Sequence, residues 1–291
     1  MQVRRVFILG SGLMGGGIAQ ACAQSGIDAT LCDLREEAVE KALETISRSV
    51  GKLLEKGVVK GIKEEILSRI HKSSGFEGAG IDADLVIEAV FENLELKREV
   101  FRKLDRAAGP DTILASNTSA ISISNLAAET QRPERVVGIH FFSPVPMMGA
   151  AEVIRTSFTS EETFAPAVDF VRRLGKHPIL VQRDIPAFVI NRINYRANIE
   201  AMKLVQDGIA TVEDIDKGLR LAAGRKMGPF EIGDMVGLDV THGALLSIYE
   251  ETKDPSFYPP AILRLKVKMG HLGRKTGKGW YEYNPDGSMK K

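Results

Sequence analysis

The chain is poor in cysteine and aromatic residues and has almost no net charge. Of its 291 residues two are Cys and one is Trp, and Lys plus Arg number 39 against 38 for Asp plus Glu. Cys22 and Cys32 cannot build a disulfide framework, and both lie in segments that read as core, so reduced, small core residues are expected. A net charge of +1 offers no basic field, so neither nucleic acid nor an anionic membrane is expected as a partner. No apolar run of about 18 residues occurs, which argues against a membrane-spanning helix. The first β-rich run begins at Val3 and leaves no room for a leader, so the expectation is a soluble cytoplasmic protein. No repeat or low-complexity tract is present apart from a polar tail after Asn284. None of the five histidines has HxH or HExxH spacing, and no metal is expected. His71, His177, His242 and His271 read as surface or capping residues in helical or turn settings. The 44% hydrophobic content suffices for a full core, and the length suits one large or two ordinary domains.

What is present begins at the N-terminus. An apolar run from Val3 to Leu9 leads into Gly10-Ser11-Gly12-Leu13-Met14-Gly15 and then a small-residue helix from Gly16 to Gln24. The first glycine allows a tight turn, the second lets backbone approach a pyrophosphate, and the third lets helix pack on strand. The helix N-terminus then turns bare N–H groups toward the phosphates. A second strand, Asp28 to Cys32, ends on Asp33, placed where a carboxylate accepts from the ribose hydroxyls. That carboxylate repels a 2′-phosphate, so NAD is expected rather than NADP, with Arg35 as a partial offset. A GxGxxG alone is a weak signal, but strand, turn, helix, strand and acid together read as a dinucleotide site.

Strand and helix alternate through the first half. Helical stretches are expected at Glu36 to Glu55, Lys63 to His71, Leu94 to Arg106 and Glu161 to Leu174. Strands are expected at Asp84 to Val90, Thr112 to Ala115, Val136 to Ile139, Ala151 to Ile154 and Pro178 to Val181. This predicts an α/β, Rossmann-like, mainly parallel sheet covered on both faces. After Asp184-Ile185-Pro186 only helical periodicity remains, over Phe188 to Gln206, Val212 to Ala222, Pro229 to Ile248 and Pro260 to Met269. Thr211 with Asp214 reads as an N-terminal cap. A boundary near Asp184 is expected, giving a sheet domain over 1–184 and an all-α domain over 185–291.

His140 differs from the other histidines because it ends the strand that starts at Val136. In open α/β sheets ligands bind beyond the carboxyl ends of strands. Ser119 follows the Thr112 strand and Glu92 the Asp84 strand, so both should reach the same rim. A hydroxyl, an imidazole and a carboxylate (Glu152) behind a dinucleotide site suit proton removal from an alcohol whose carbon gives up a hydride.

With these residues in view, the chain resembles the L-3-hydroxyacyl-CoA dehydrogenase family, of the bacterial 3-hydroxybutyryl-CoA type. The likeness is carried by GSGLMGGGIAQ (10–20), IEAVFENLELK (87–97), ILASNTSAISI (113–123) and GIHFFSPVP (138–146). It continues through LGKHP (174–178), FVINR (188–192), MGPFEIGDMVGLD (227–239) and GRKTGKGWYEY (273–283). The resemblance implies NAD-dependent oxidation of a short-chain (S)-3-hydroxyacyl-CoA, with His140 as general acid/base and Glu152 as its carboxylate partner. It implies Ser119 against the reacting oxygen and near the nicotinamide, and Asn191 holding substrate and site geometry. It further implies cofactor contacts at Glu92, Lys97, Ser143 and Lys275 beside Gly10, Gly12, Leu13, Met14, Gly15 and Asp33. Coenzyme A contacts fall at Ser49 and Lys56, and a homodimer through the helical domain follows from the same resemblance.

The chain departs from the family pattern at four places. Ser143 stands for the usual Asn, Gly149-Ala150-Ala151 for a longer residue and Leu-Val, Ala187 for the Gly of PGF, and Trp280 for Phe. The departures bear on acyl preference, so a longer, carboxylated or cyclic acyl group is the alternative substrate. A 3-hydroxyisobutyrate-type enzyme would need a lysine four residues before the asparagine, where this chain has Ala187. A non-catalytic NAD-binding protein would have no use for Ser119, His140, Glu152 and Asn191 together.

Overall fold

Strands buried on both faces can exist only inside a sheet covered on both sides, and this chain has three such strands in succession. Leu85–Glu88, Ile113–Ser116 and Val136–Phe141 are buried at every position. The computed structural model describes residues 1–76 and 80–290. The chain divides into two units, Met1–Phe188 and Val189–Lys291.

The first unit runs β1 (Arg5–Leu9), α1 (Leu13–Gln24), β2 (Asp28–Cys32), α2 (Glu36–Glu55), α3 (Lys63–Leu67), β3 (Ile70–Ser73) and β4 (Leu85–Glu88). It continues with α4 (Leu94–Ala107), β5 (Ile113–Ser116), α5 (Ile123–Ala127), β6 (Val136–Phe141), β7 (Ala150–Ile154), α6 (Glu161–Arg173) and β8 (His177–Val181). The eight strands form one sheet in the order β3-β2-β1-β4-β5-β6-β7-β8. The sequence of strands turns back between β1 and β4, which is the crevice where such sheets bind ligands. All neighbours are parallel except β6 and β7, which are antiparallel. In that pair His140 stands directly opposite Glu152.

Two expectations are corrected in this unit. The segment from Lys63 to His71 is not one helix, because α3 stops at Leu67 and β3 begins at Ile70. Its Ile-His-Lys-Ser sequence is half-exposed at a sheet edge, so it carries no apolar run to mark a strand. His71 and His177 therefore lie in strands, not in helical or turn settings. α5 is an additional short helix.

The second unit comprises α7 (Ile190–Gln206), α8 (Val212–Ala223), α9 (Pro229–Val236), α10 (Leu238–Thr252) and α11 (Ala261–Lys268). Thr211 caps α8 by accepting from the Asp214 N–H at 3.1 Å. The stretch expected as one helix from Pro229 to Ile248 breaks at Gly237, whose φ of 110° no helical residue adopts. Two buried aspartates knit the unit. Asp216 accepts from the N–H groups of Phe230 and Glu231 and from the Tyr281 hydroxyl. Asp234 accepts from the N–H groups of Trp280 and Tyr281 and from the Tyr283 hydroxyl. Burial pushes the Asp216 carboxyl above the usual aspartate value, and these donors oppose that rise. Among the described residues no helix is long and apolar enough to cross a membrane.

Candidate active site

The glycine turn after β1 is shaped by backbone proximity. Gly10 has φ 104°, and a Cβ there would lie 2.5 Å from the Ala89 carbonyl oxygen. A Cβ on Gly15 would overlap the Gly10 carbonyl, so strand and helix meet too closely for any side chain. Gly12 differs, because a Cβ there meets no described atom within 4 Å. It opens α1 without a side-chain cap and with no acid in the first turn, leaving the first N–H groups for an anion. Asp33 faces this turn, and its Oδ2 accepts from the Ser11 N–H at 2.8 Å and the Ser11 hydroxyl at 2.9 Å. Burial opposes ionisation of Asp33, but the bonds from Ser11, then those from Arg35 and Leu34, outweigh it and hold the carboxyl below its usual value. An uncapped helix start, a close-approach glycine and an ionised acid at the next strand end fit a dinucleotide. Leu13 is exposed and Met14 half-buried on the first turn of α1.

The rim of the next three strands carries polar groups at their carboxyl ends. Glu88 ends β4 fully buried and pairs with the Lys97 ammonium at 2.5 Å. Glu88 also accepts from the Val90 N–H at 2.7 Å and the Ser116 hydroxyl at 2.7 Å. Lys97, 1% exposed, donates further to the Val90 carbonyl and lies 3.3 Å from Glu92. It is therefore an internal brace of the rim. Removing one partner of such a buried pair typically costs about 3–5 kcal/mol, because the other charge stays behind.

Glu92 clamps the loop after β5. One carboxylate oxygen accepts from the Thr118 hydroxyl at 2.5 Å and from the N–H groups of Ser119 at 3.0 Å and Ala120 at 3.1 Å. Desolvation opposes the Glu92 charge, but the Lys97 ammonium and then these three donors hold its carboxyl below the usual glutamate value. Asn117 fixes the other side of the loop by accepting from the Phe141 N–H at 2.9 Å.

The loop so held presents Ser119 to His140. The Ser119 Oγ is 3.1 Å from His140 Nε2, and His140 Nδ1 is 2.7 Å from Glu152 Oε2. A carboxylate can only accept, so a ring that bonds Glu152 does so by donating Nδ1–H, and in a neutral imidazole Nε2 is then the nitrogen that accepts from the Ser119 hydroxyl. The imidazole is 3% exposed and Glu152 is fully buried. The antiparallel register makes this possible, since paired residues on neighbouring strands share one face of the sheet. Phe142 meets the imidazole edge-on, with ring centroids 4.9 Å apart.

The other sequence candidates fall on other segments of the chain. Ser143 is exposed in the segment joining β6 to β7. That segment is held by Lys176, whose ammonium donates to the carbonyls of Val145 and Met148 at 2.7 Å each. Ser49 is half-buried on α2, and Lys56 is exposed at its C-terminal end. In the second unit, Asn191 is in the first turn of α7, and Lys275 pairs with Asp239 at 2.6 Å. Sequence reasoning gave no role to Glu88, Asn117 or Lys176. Glu88 carried a signal, being an acid that closes an otherwise apolar buried strand.

A neutral imidazole with one nitrogen held by a carboxylate and the other facing a hydroxyl takes a proton from an alcohol or returns it to a carbonyl. Beside a dinucleotide turn at the switch point of the sheet, this places the chain among the NAD-dependent oxidoreductases of alcohols and carbonyls. Comparison with known proteins narrows the class. The family model for the 3-hydroxyacyl-CoA dehydrogenase NAD binding domain matches residues 5–185, and that for the 3-hydroxyacyl-CoA dehydrogenase C-terminal domain matches residues 188–283. The chain belongs to the 3-hydroxyacyl-CoA dehydrogenase family. It is 42% identical over 288 residues to the mitochondrial hydroxyacyl-coenzyme A dehydrogenase of Mus musculus, covering 97% of this chain and 91% of that protein. It is 40% identical over 281 residues to the 3-hydroxybutyryl-CoA dehydrogenase of Clostridioides difficile, covering 96% and 99%. The crystal structure of (S)-3-hydroxybutyryl-CoA dehydrogenase from Ralstonia eutropha superposes with a TM-score of 0.92 at 40% identity, over 97% of this chain and all of the other.

Proposed function

We propose that the chain interconverts (S)-3-hydroxyacyl-CoA and 3-oxoacyl-CoA with NAD, acting on a short acyl chain such as 3-hydroxybutyryl. The hydrogen-bonded line Ser119–His140–Glu152 carries the reading. In oxidation, His140 Nε2 accepts the 3-hydroxyl proton while Nδ1 keeps its proton and donates it in a hydrogen bond to Glu152, whose charge favours the imidazolium that forms. In reduction the imidazolium returns that proton to the carbonyl oxygen. Ser119 bonds the same oxygen and so sets the approach. NAD, when bound, supplies the two-electron acceptor or donor. A positioned general base of this kind contributes about 10²–10⁴-fold to the rate.

The glycine turn and Asp33 would hold the cofactor, with Glu92, Ser143 and Lys275 as further cofactor-side residues, while the buried Lys97, expected from the sequence as a cofactor contact, would act through Glu92. Ser49 and Lys56 would meet coenzyme A, Asn191 the substrate, and the helical unit would pair two copies of the chain. The test is loss of NADH absorbance with acetoacetyl-CoA, set against free acetoacetate and against NADPH. Rapid loss with the thioester and NADH alone is expected. Turnover of free acetoacetate alone would reject the thioester, and silence on every 3-oxoacyl-CoA would reject the reaction.

A further inference from the structure

The turn that closes the first unit is strained. Among the described residues three non-glycines have positive φ, and two of them are consecutive: Ala187 at 63° and Phe188 at 50°. Both are fully buried, so no solvent-facing loop tip is being relieved. Left-handed backbone at a residue with a Cβ persists only where the surroundings over-determine it, and such sites cluster where geometry serves chemistry. Here the Phe188 N–H donates to the Ile185 carbonyl at 3.1 Å, closing the turn. The closed turn sets the Phe188 ring against the His140 imidazole, centroids 5.6 Å apart and planes tilted by 54°.

We propose that Phe188 is a positioning residue of the reaction: the turn Ile185–Phe188 holds its ring as a wall that fixes the His140 imidazole between Ser119 and Glu152. The two hydrogen bonds act along the ring plane, at Nδ1 and Nε2. The bond to Ser119 must be remade whenever a substrate oxygen takes that place, and the ring is then held at Nδ1 alone. An imidazole tethered at one nitrogen can swing or turn over about Cβ–Cγ. Among the described residues, Phe142 and Phe188 are the two aromatic rings set against the imidazole to limit that swing. They also keep water from the His140–Glu152 bond, which is buried at both ends. Small displacements of a base matter, since about 1 Å can cost 10²-fold in rate.

The inference rests on His140 as the base, and its test has a readout that does not depend on turnover. Phe188→Met keeps the volume but not the flat, rigid ring, and Phe188→Tyr keeps the ring. The measurements are kcat, the KM values for NADH and acetoacetyl-CoA, the melting temperature and the imidazole ¹⁵N shifts of His140. Phe188→Met is expected to lower kcat about 10- to 100-fold, with both KM values within about threefold and little change in melting. Its ¹⁵N shifts are expected to move from one fixed tautomer toward averaged values. Phe188→Tyr is expected to keep the fixed tautomer and kcat within about threefold. A Phe188→Met protein with unchanged kcat and a fixed tautomer overturns the proposal. So does a fall in kcat with the tautomer still fixed, because the loss then arises elsewhere. Should Phe188→Met not fold, Phe188→Tyr decides alone, and averaged shifts with the ring retained overturn the proposal. If the wild-type chain turns over no 3-oxoacyl-CoA, the assigned reaction fails while the ¹⁵N shifts still decide whether Phe188 fixes the ring.

Discussion

Replacing Gly12 by alanine should separate the fold from the cofactor site. Gly12 has φ −64° and ψ −169°, a backbone any L-residue adopts, and a methyl group there meets no described atom within 4 Å. Folding should register the change weakly. Gly→Ala at a compatible position gains about 0.4–1 kcal/mol through the unfolded chain, and the poorer N-cap offsets part of that. The net change should stay within about 1 kcal/mol, or a melting shift of at most about 2–4 °C. Cofactor binding should respond strongly, because on the proposed reading the methyl would stand where a pyrophosphate approaches the uncapped start of α1. Losing one charge-assisted hydrogen bond costs about 1.5–3 kcal/mol, which weakens NADH about 10- to 150-fold. Gly10→Ala is the contrast. Its φ of 104° and the Ala89 carbonyl 2.5 Å from the new Cβ should destabilise the fold itself. Thermal melting and NADH titration by fluorescence measure both effects. A well-folded Gly12→Ala protein that binds NADH as tightly as the wild type would refute the placement of the phosphates at this turn.

Two further outcomes follow from the ionisable groups. The Glu92 carboxyl is held below its usual value of 4.5. Its charge therefore stabilises the fold above that pH, and the contribution is lost as pH falls through the lower folded value. Urea unfolding from about pH 5 to about pH 3 should show wild-type stability falling more steeply than that of Glu92→Gln, and parallel curves would show that Glu92 clamps nothing. Burial pushes the Cys22 thiol up to about 12 against the opposing pull of Arg173 and Lys176, and pushes the Cys32 thiol up to about 11 against a hydrogen bond from Ser73. Both thiols are buried and free, so a disulfide reagent at about pH 8 should label neither in the native protein and both after denaturation.

Much of this architecture is legible in the sequence, for physical reasons. β4, β5 and β6 announce themselves because strands covered on both faces must be apolar throughout, and the glycine turn because few other residues tolerate its close approaches. β3 is hidden, since an edge strand of four residues with His71 and Lys72 exposed carries no hydrophobic period. The break at Gly237 is hidden because α9 and α10 keep helical periodicity on either side of it. In the site, His140 is found from its place at a strand end. Its pairing with Glu152 is implied by the family resemblance and not by the pattern, because strand direction leaves no mark on hydrophobic pattern and a parallel β7 would have placed that carboxylate elsewhere. The pairing of Glu88 with Lys97 is hidden for a similar reason. An acid and a base nine residues apart look solvated until the fold buries both. The role of Phe188 depends on two backbone angles that an Ala-Phe pair would not ordinarily adopt.

The most direct test is the turnover of His140→Ala with acetoacetyl-CoA and NADH, measured beside its affinity for NADH. The predicted result is a fall in kcat of at least about 10²–10⁴-fold with NADH affinity within about threefold of the wild type. Undiminished turnover in a well-folded His140→Ala protein would contradict the account, because the proton would then move through some other group.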